Sequence, residues 1–350
     1  MKVDGGLGYG GAATSGMASI AASAKEQEEA GYSGLWTAET SRDPFLPLLI
    51  AAEHTEKIEI GTSIAVAFAR NPMTLANTAN DLQELSGGRF ILGLGSQIKP
   101  HITKRFSMEW SKPAARMREM ILAMHAIWDS WENSTKLDFR GEFYTHTLMT
   151  PFFDPGPNPH GRPKIFLAGV GELMTQVAGE VADGFICHGF TTEKYLREVT
   201  IPALDKGRAK AGKPSLADSP AEGPDSFQIV GPSFVVTGSD EDQLAKAAQG
   251  TRQQIAFYGS TPAYRPVLEI HGWGGLQDEL NTMSKQGQWV EMADKIDDEI
   301  LNTFAVVGEP EAVAPELKAR YGDVIQRISF YAPYASDRER WSKVLADIKS

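Results

Sequence analysis

Cysteine is almost missing from this chain. Cys187 is the single one in 350 residues, which excludes an intrachain disulfide and a cysteine-built metal site. Basic charge is also in deficit. With 34 Lys and Arg against 45 Asp and Glu, the net charge is −11, and no basic stripe offers itself to nucleic acid. Local cations can still serve an anionic ligand. No apolar run approaches the ~20 residues of a membrane helix, and Met1 to Gly6 lacks the apolar core of a secretory leader. The expected protein is cytoplasmic, with no membrane partner.

Several catalytic signatures are absent too. No histidine pair has a metal-ligand spacing such as His-Glu-x-x-His, so no catalytic metal is expected. No Gly-x-Ser-x-Gly elbow appears, and Ser63 and Ser96 have no evident histidine partner. No Gly-x-Gly-x-x-Gly joins a first strand to a first helix, which argues against a doubly wound dinucleotide fold.

What is present is a rhythm of short apolar runs and amphipathic stretches. Apolar content of 42% with 23% charged residues is ordinary for a globular chain with a sizeable core. Met1 to Leu7 reads as a first strand, followed by the turn Gly8-Tyr9-Gly10-Gly11. Strands follow at Gly34 to Thr37, Ile58 to Val66 and Phe90 to Leu94. Helices are expected over 17–30, from Pro44 to about His54, and from Pro72 to Leu85, where Leu75, Ala79, Leu82 and Leu85 make one apolar face. Met117, Met120, Ile121, Met124, Ile127, Trp128 and Trp131 mark another long amphipathic helix. The second half repeats the pattern. It has strands at Ile165 to Ala168, Gly184 to Cys187, Gln228 to Val236, Phe304 to Val307 and Ile325 to Phe330, with helices over 171–180, 193–211, 240–257 and about 310–321. About eight βα units favour an α/β fold of the TIM (β/α)8 type, a single domain over 1–350. Residues 137–164, with five prolines, and 259–303, rich in Trp, Met and Gln, read as insertions.

A barrel keeps its active site at the C-terminal strand ends, and each end offers a candidate. Glu39-Thr40 could touch a ligand or hold a proton, or Thr40 or Ser41 could simply cap the next helix. Arg70-Asn71 could clamp an anion or cap a helix. Gly95-Ser96-Gln97 lets a backbone approach a flat ring or a phosphate. Gly169-Val170-Gly171 ahead of a helix could present free N–H groups to phosphate, or be only a tight turn. No Lys-Ser/Thr follows, so it is not a nucleotide-hydrolase P-loop. His188 closes a strand and faces the expected mouth. Trp110, Phe143, Tyr144, Phe257, Tyr258, Trp273 and Trp289 suggest a bulky apolar pocket or an insertion core.

The tracts Gly31 to Glu39, Ile60 to Ile64, Leu82 to Ser96 and Ala178 to Gly184 together resemble the luciferase-like monooxygenase superfamily, and in particular its coenzyme F420-dependent branch. The Ser86-Gly87-Gly88-Arg89-Phe90-x-Leu92-Gly93-x-Gly95 tract is the most specific, and Phe257 to Pro262 also looks typical of that group. The resemblance implies a bacterial-luciferase-like TIM barrel with F420, or alternatively FMN, at its C-terminal mouth. It implies a cis peptide bond at Ser63–Ile64, with Thr62, Ser63, Ile64 and Ala65 behind the ring. Gly95, Ser96 and Gln97 would lie beside ring and phosphate, and Gly169, Val170 and Gly171 on the phosphate. His188 joins the cofactor set, and Glu39, Thr40 and His188 are the catalytic candidates. Several relatives carry a histidine where this chain has Thr40, so that proton donor does not transfer. The expected reaction is hydride transfer between F420 and a small, apolar organic substrate. The alternatives are an FMN monooxygenase and a flavin-binding barrel without turnover. A homodimer is the expected assembly.

Overall fold

The computed structural model describes residues 1–7, 16–335 and 338–350. The expected glycine turn at 8–11 lies outside them. In chain order the strands are β1 (Lys2–Gly6), β2 (Gly34–Thr37), β3 (Glu59–Thr62), β4 (Ala65–Val66), β5 (Phe90–Gly95), β6 (Phe139–Arg140), β7 (Thr145–His146), β8 (Lys164–Ala168), β9 (Gly184–Ile186), β10 (Gln228–Val236), β11 (Ala305–Val307) and β12 (Arg327–Tyr331). The helices are α1 (Ile20–Glu29), α2 (Phe45–His54), α3 (Pro72–Leu85), α4 (Pro113–Asn133), α5 (Glu172–Val181), α6 (Glu193–Tyr195), α7 (Ile201–Lys210), α8 (Glu241–Gly259), α9 (Arg265–Glu269), α10 (Gly274–Lys285), α11 (Asp298–Phe304), α12 (Pro310–Tyr321) and α13 (Arg338–Lys349). The parallel strands, each feeding a helical stretch, are those of the expected TIM (β/α)8 barrel. The chain divides into two compact units, one of Gly5–Ile186 with Ala203–Phe227, the other of Met1–Asp4, Cys187–Pro202 and Gln228–Ser350.

In the first unit β2, β3, β5, β8 and β9 lie side by side, all parallel, with Trp36 opposite Gly61, Gly61 opposite Ile91, Gly93 opposite Phe166 and Leu167 opposite Phe185. These strands are buried along almost their whole length, as strands covered on both faces must be. The run expected as one strand from Ile58 to Val66 is broken. β3 stops at Thr62, the Ser63–Ile64 peptide is cis, and β4 resumes on β5 with Ala65 opposite Leu94. The expected apolar stripe of α4, from Met117 to Trp131, is buried throughout. α3 starts where the sequence suggests, with Pro72 at its first position and the Asn71 carboxamide accepting the Thr74 N–H at 3.0 Å.

Two contacts set the geometry around these strands. A Cβ on Gly179 of α5 would lie 2.1 Å from the Leu204 carbonyl, and one on Gly207 of α7 would lie 1.9 Å from that of Gln176. The two helices therefore meet backbone to backbone, which only glycine permits. Arg89, at the head of β5, donates to five acceptors. They are the carbonyls of Ser86 (2.7 Å), Ile58 (2.6 Å), Ala52 (3.1 Å) and Thr55 (2.9 Å), and the Thr55 hydroxyl (2.9 Å). The carbonyls of Ala52 and Thr55 close α2, where helix C=O groups lack internal partners. The insertion over 137–164 is a two-stranded antiparallel ribbon, β6 with β7, followed by irregular chain. The Glu119 carboxylate of α4 anchors it by accepting the N–H groups of Glu142, Phe143 and Tyr144 at 2.6–2.8 Å.

In the second unit β10 pairs with β12 and β11, all parallel. Arg327 of β12 and Asp4 of β1 form a two-point ion pair at 2.8 Å with both side chains fully buried. Phe234, Ile255, Leu280 and Phe304 anchor the apolar core here. The excursion over 259–303 folds as α9, α10 and α11 against that core, with Val267, Leu268, Met292 and Leu301 buried. The terminal helix α13 was not expected from the sequence.

Candidate active site

In the first unit the site begins at the end of β2. Asp43 accepts the N–H groups of Phe45 (2.8 Å) and Leu46 (3.3 Å) at the start of α2. The capping role expected for Thr40 or Ser41 is thus filled by Asp43, whose side chain reaches its own downstream amides. Thr40 itself is exposed, and its carbonyl receives Arg105. Glu39 is buried and tied down. Its Oε2 accepts the Val66 N–H at 2.7 Å and Arg70 Nη1 at 2.6 Å, while Arg70 Nη2 pairs with Asp43 at 3.1 Å. The Glu39 N–H donates to the Ile64 carbonyl at 3.1 Å, and the Ser63 N–H to the Thr37 carbonyl at 2.6 Å. Glu39 therefore clamps the Ser63–Val66 segment from both sides. Arg70 is paired with both Glu39 and Asp43.

β5 approaches that segment with bare backbone. A Cβ at Gly93 would fall 1.7 Å from the Thr62 carbonyl, and one at Gly95 2.9 Å from the Ile64 side chain. Ile64 thus lies over Gly95 with no side chain between. The Thr62 hydroxyl donates to the Gly93 carbonyl at 2.6 Å. Beyond Gly95, Gln97 takes a left-handed conformation (φ 58°), and the Ser96 hydroxyl donates to its carbonyl at 3.1 Å. On the next strand, β8 runs into Gly169-Val170-Gly171 and α5. Gly171 is exposed, is the N-cap of α5 without a side-chain cap, and has nothing within 4 Å of a would-be Cβ. The first-turn amides of α5 are left for an outside acceptor. Glu172 in that turn is engaged by Gln176 (2.8 Å) and Lys206 (3.3 Å). Glu39, Ile64, Val66 and Gly95 are thus brought into direct contact or pairing, while Ser63 bonds to Thr37 and Ala65 pairs with Leu94, and the Gly169–Gly171 turn follows the strand next to β5.

In the second unit His188 follows β9. Its Nδ1 accepts the Phe190 N–H at 3.0 Å, and its Nε2 lies 3.0 Å from the Tyr264 hydroxyl. Its ring stacks on Tyr264 at 4.6 Å and meets Tyr258 edge-on at 4.7 Å. The Tyr258 and Tyr331 hydroxyls are 2.7 Å apart. Burial pushes the His188 imidazole down to about 4 and the Tyr264 phenol up to about 12, so at neutral pH both are uncharged. Cys187, fully buried, is pushed up to about 12 and is an inert thiol. Tyr264 and Tyr331 are residues that sequence reasoning missed. The signal for Tyr264 was its place just past the Phe257 to Pro262 tract, whereas Tyr331 ends a strand with nothing local to mark it. Of the aromatics expected to line a pocket, Phe257 and Trp289 are about half exposed and pack on each other. Among the described residues no group of three or more His, Cys, Asp and Glu could hold a metal, and no helix is long and apolar enough to cross a membrane.

Parallel strands, each feeding a helical stretch, define a barrel of the (β/α)8 class. Residues 2–327 match the luciferase-like monooxygenase family, and the chain belongs to it. An uncharacterised protein of Mycobacterium tuberculosis is 53% identical over 312 residues, 89% of each chain. The 5,10-methylenetetrahydromethanopterin reductase of Archaeoglobus fulgidus is 26% identical over 325 residues, 90% of each. Among solved structures, the coenzyme F420-dependent tetrahydromethanopterin reductase of Methanopyrus kandleri superposes with a TM-score of 0.75 at 20% identity, covering 99% of this chain and 96% of that one. The family is one of oxidoreductases.

Proposed function

We infer that this protein is an F420-dependent oxidoreductase acting on a small organic substrate. The observation that carries this reading is the apolar wall where the Ile64 side chain lies directly over Gly95, beside a strand that ends in an uncapped helix N-terminus. A tricyclic ring needs a flat, apolar backing, which Ile64 and the bare Gly95 backbone supply. A phosphate needs several converging N–H donors, which Gly171 and the first turn of α5 supply at the positive end of the helix dipole. The donor set is uncharged and local, so it fits a phosphodiester on an organic cofactor better than a metal-bound nucleotide.

F420, when bound, supplies hydride chemistry at its C5. The chain's own residues do the rest. Glu39, through Val66 and Arg70, fixes the Ser63–Ile64 bulge. The Thr62 hydroxyl ties that bulge to β5. His188, uncharged and bonded at both nitrogens, orients Tyr264 and is not itself an acid at neutral pH. The relatives named for F420 reactions support this reading. Absorbance titration tests it. F420, followed at its visible band, should bind saturably, and FMN should bind more weakly. Tight FMN binding without F420 binding would replace the reading with the flavin one.

A further inference from the structure

The ring cluster of the second unit has more polar hydrogens than the two bonds within it use. It holds four: the imidazole N–H of His188 and the hydroxyl hydrogens of Tyr258, Tyr264 and Tyr331. Because His188 Nδ1 accepts the Phe190 N–H, the neutral ring carries its hydrogen on Nε2. That hydrogen goes to the Tyr264 oxygen at 3.0 Å, so Tyr264 is an acceptor in this pair and its own hydrogen points elsewhere. Tyr258 and Tyr331 share one bond of 2.7 Å; whichever of them accepts keeps its own hydrogen to give. Two hydroxyl hydrogens therefore meet no protein acceptor among the described residues. They stand on rings close together, since Tyr258 and Tyr264 are 6.1 Å apart and nearly perpendicular. The opposite faces are seated on apolar surface, with Tyr264 against Phe190 at 5.6 Å and Tyr331 stacked on Phe234 at 4.6 Å. No carboxylate or cation among the described residues bonds to any of the four groups.

Two surplus donors without charge, on aromatic walls, have one simple complement. We propose that this cluster is a substrate subsite for an uncharged carbonyl oxygen, with Tyr264 and the Tyr258–Tyr331 pair each donating to one of its lone pairs. The subsite rests on the oxidoreductase reading above and names its substrate class: a ketone, aldehyde or enone with an apolar skeleton. A carboxylate would call for a cation here, and no cation among the described residues bonds to the cluster. Tyr264 is held uncharged by its burial, as a donor to a neutral oxygen must be.

Calorimetric titration of the whole protein with cyclohex-2-enone and with cyclohexene, which lacks the oxygen, tests the subsite. The enone should bind about tenfold tighter than the hydrocarbon, the worth of one or two net hydrogen bonds. In Tyr264→Phe, which keeps the ring, that preference should shrink about fivefold to tenfold, with the thermal midpoint checking that the fold is kept. Tyr331→Phe, which removes a different donor, should lower it as well and serves if the first variant does not fold. Equal binding of the two probes, no saturable enone binding, or a preference untouched by both variants would overturn the subsite. F420 titration of the same samples separates the two ideas. F420 binding with an unchanged enone preference sinks the subsite alone, and a Tyr264-dependent preference without F420 binding sinks the cofactor reading alone.

Discussion

The two units finish their strands in opposite materials. In Gly5–Ile186 the ends are main chain: Gly93 and Gly95 on β5 and Gly169 and Gly171 after β8, with one buried carboxylate, Glu39, spent on holding backbone. In the unit of Cys187–Pro202 and Gln228–Ser350 the ends are ring hydroxyls, Tyr331 on β12 with Tyr258 and Tyr264 from the α8 region. Main chain built this closely is governed by sterics, which either fit or fail. The hydroxyl cluster is governed by hydrogen counting, which shifts affinity by modest factors. The first material suits a constant group such as a cofactor, the second a varied substrate.

Four experiments break or sharpen that contrast, and the largest effect falls on the backbone side. Gly93→Ala must place a methyl 1.7 Å from the Thr62 carbonyl. It should cost about 3 kcal/mol or more, at the upper end of overpacking, and urea unfolding would show it; a stable, active variant would mean that the β3–β5 approach is looser than described.

Next come two buried histidines, one in each unit. Burial holds His125 and His188 at about 4, against an ordinary 6.5. Below pH 6.5 the unfolded chain takes up protons that the folded chain refuses, so stability present above that pH is lost as the pH falls towards 4. Each histidine should contribute about 2 kcal/mol of loss by about pH 5. His125→Phe and His188→Asn should each flatten the melting temperature against pH in this range. An unchanged slope in either would show that the imidazole is solvated.

Glu39→Gln keeps the shape but loses the charge facing Arg70 and the Val66 N–H. It should cost about 1 kcal/mol by denaturant titration and weaken F420 binding through the Ser63–Ile64 segment. A loss of turnover with stability and binding intact would make Glu39 a proton carrier instead. The smallest expected change in stability is for Gly171→Ala, whose methyl meets nothing within 4 Å. Stability should move by less than about 0.5 kcal/mol, while F420 affinity should fall about tenfold as the methyl crowds a phosphate approaching the amides. Unchanged affinity would place the phosphate elsewhere.

Much of this was legible in the sequence because the signals were local. Alternation of apolar runs gave the barrel, Asn71-Pro72 gave the start of α3, and the glycines at the end of β5 and after β8 marked the bare ends. Long-range pairings left no local trace. That Glu39 would be consumed by Val66 and Arg70, or that His188 would meet Tyr264 seventy-six positions later, depends on how strands and insertions fold together. The break of the 58–66 run is a middle case. Nothing in its β-branched composition announces it, and only the family resemblance placed the cis bond at Ser63–Ile64. α13 escaped notice because its apolar positions are few among many charges.

Arg89 carries a lesson about reading relatives. The Ser-Gly-Gly-Arg-Phe tract is the most diagnostic string in the chain, yet its arginine is committed to five acceptors around the end of α2 and the head of β5, away from any proposed ligand contact. A search keyed on it gathers proteins that share a way of closing a helix, whatever they reduce or oxygenate. Sorting them by chemistry calls for comparing strand-end glycines and tyrosine hydroxyls, where the ligands are expected to touch.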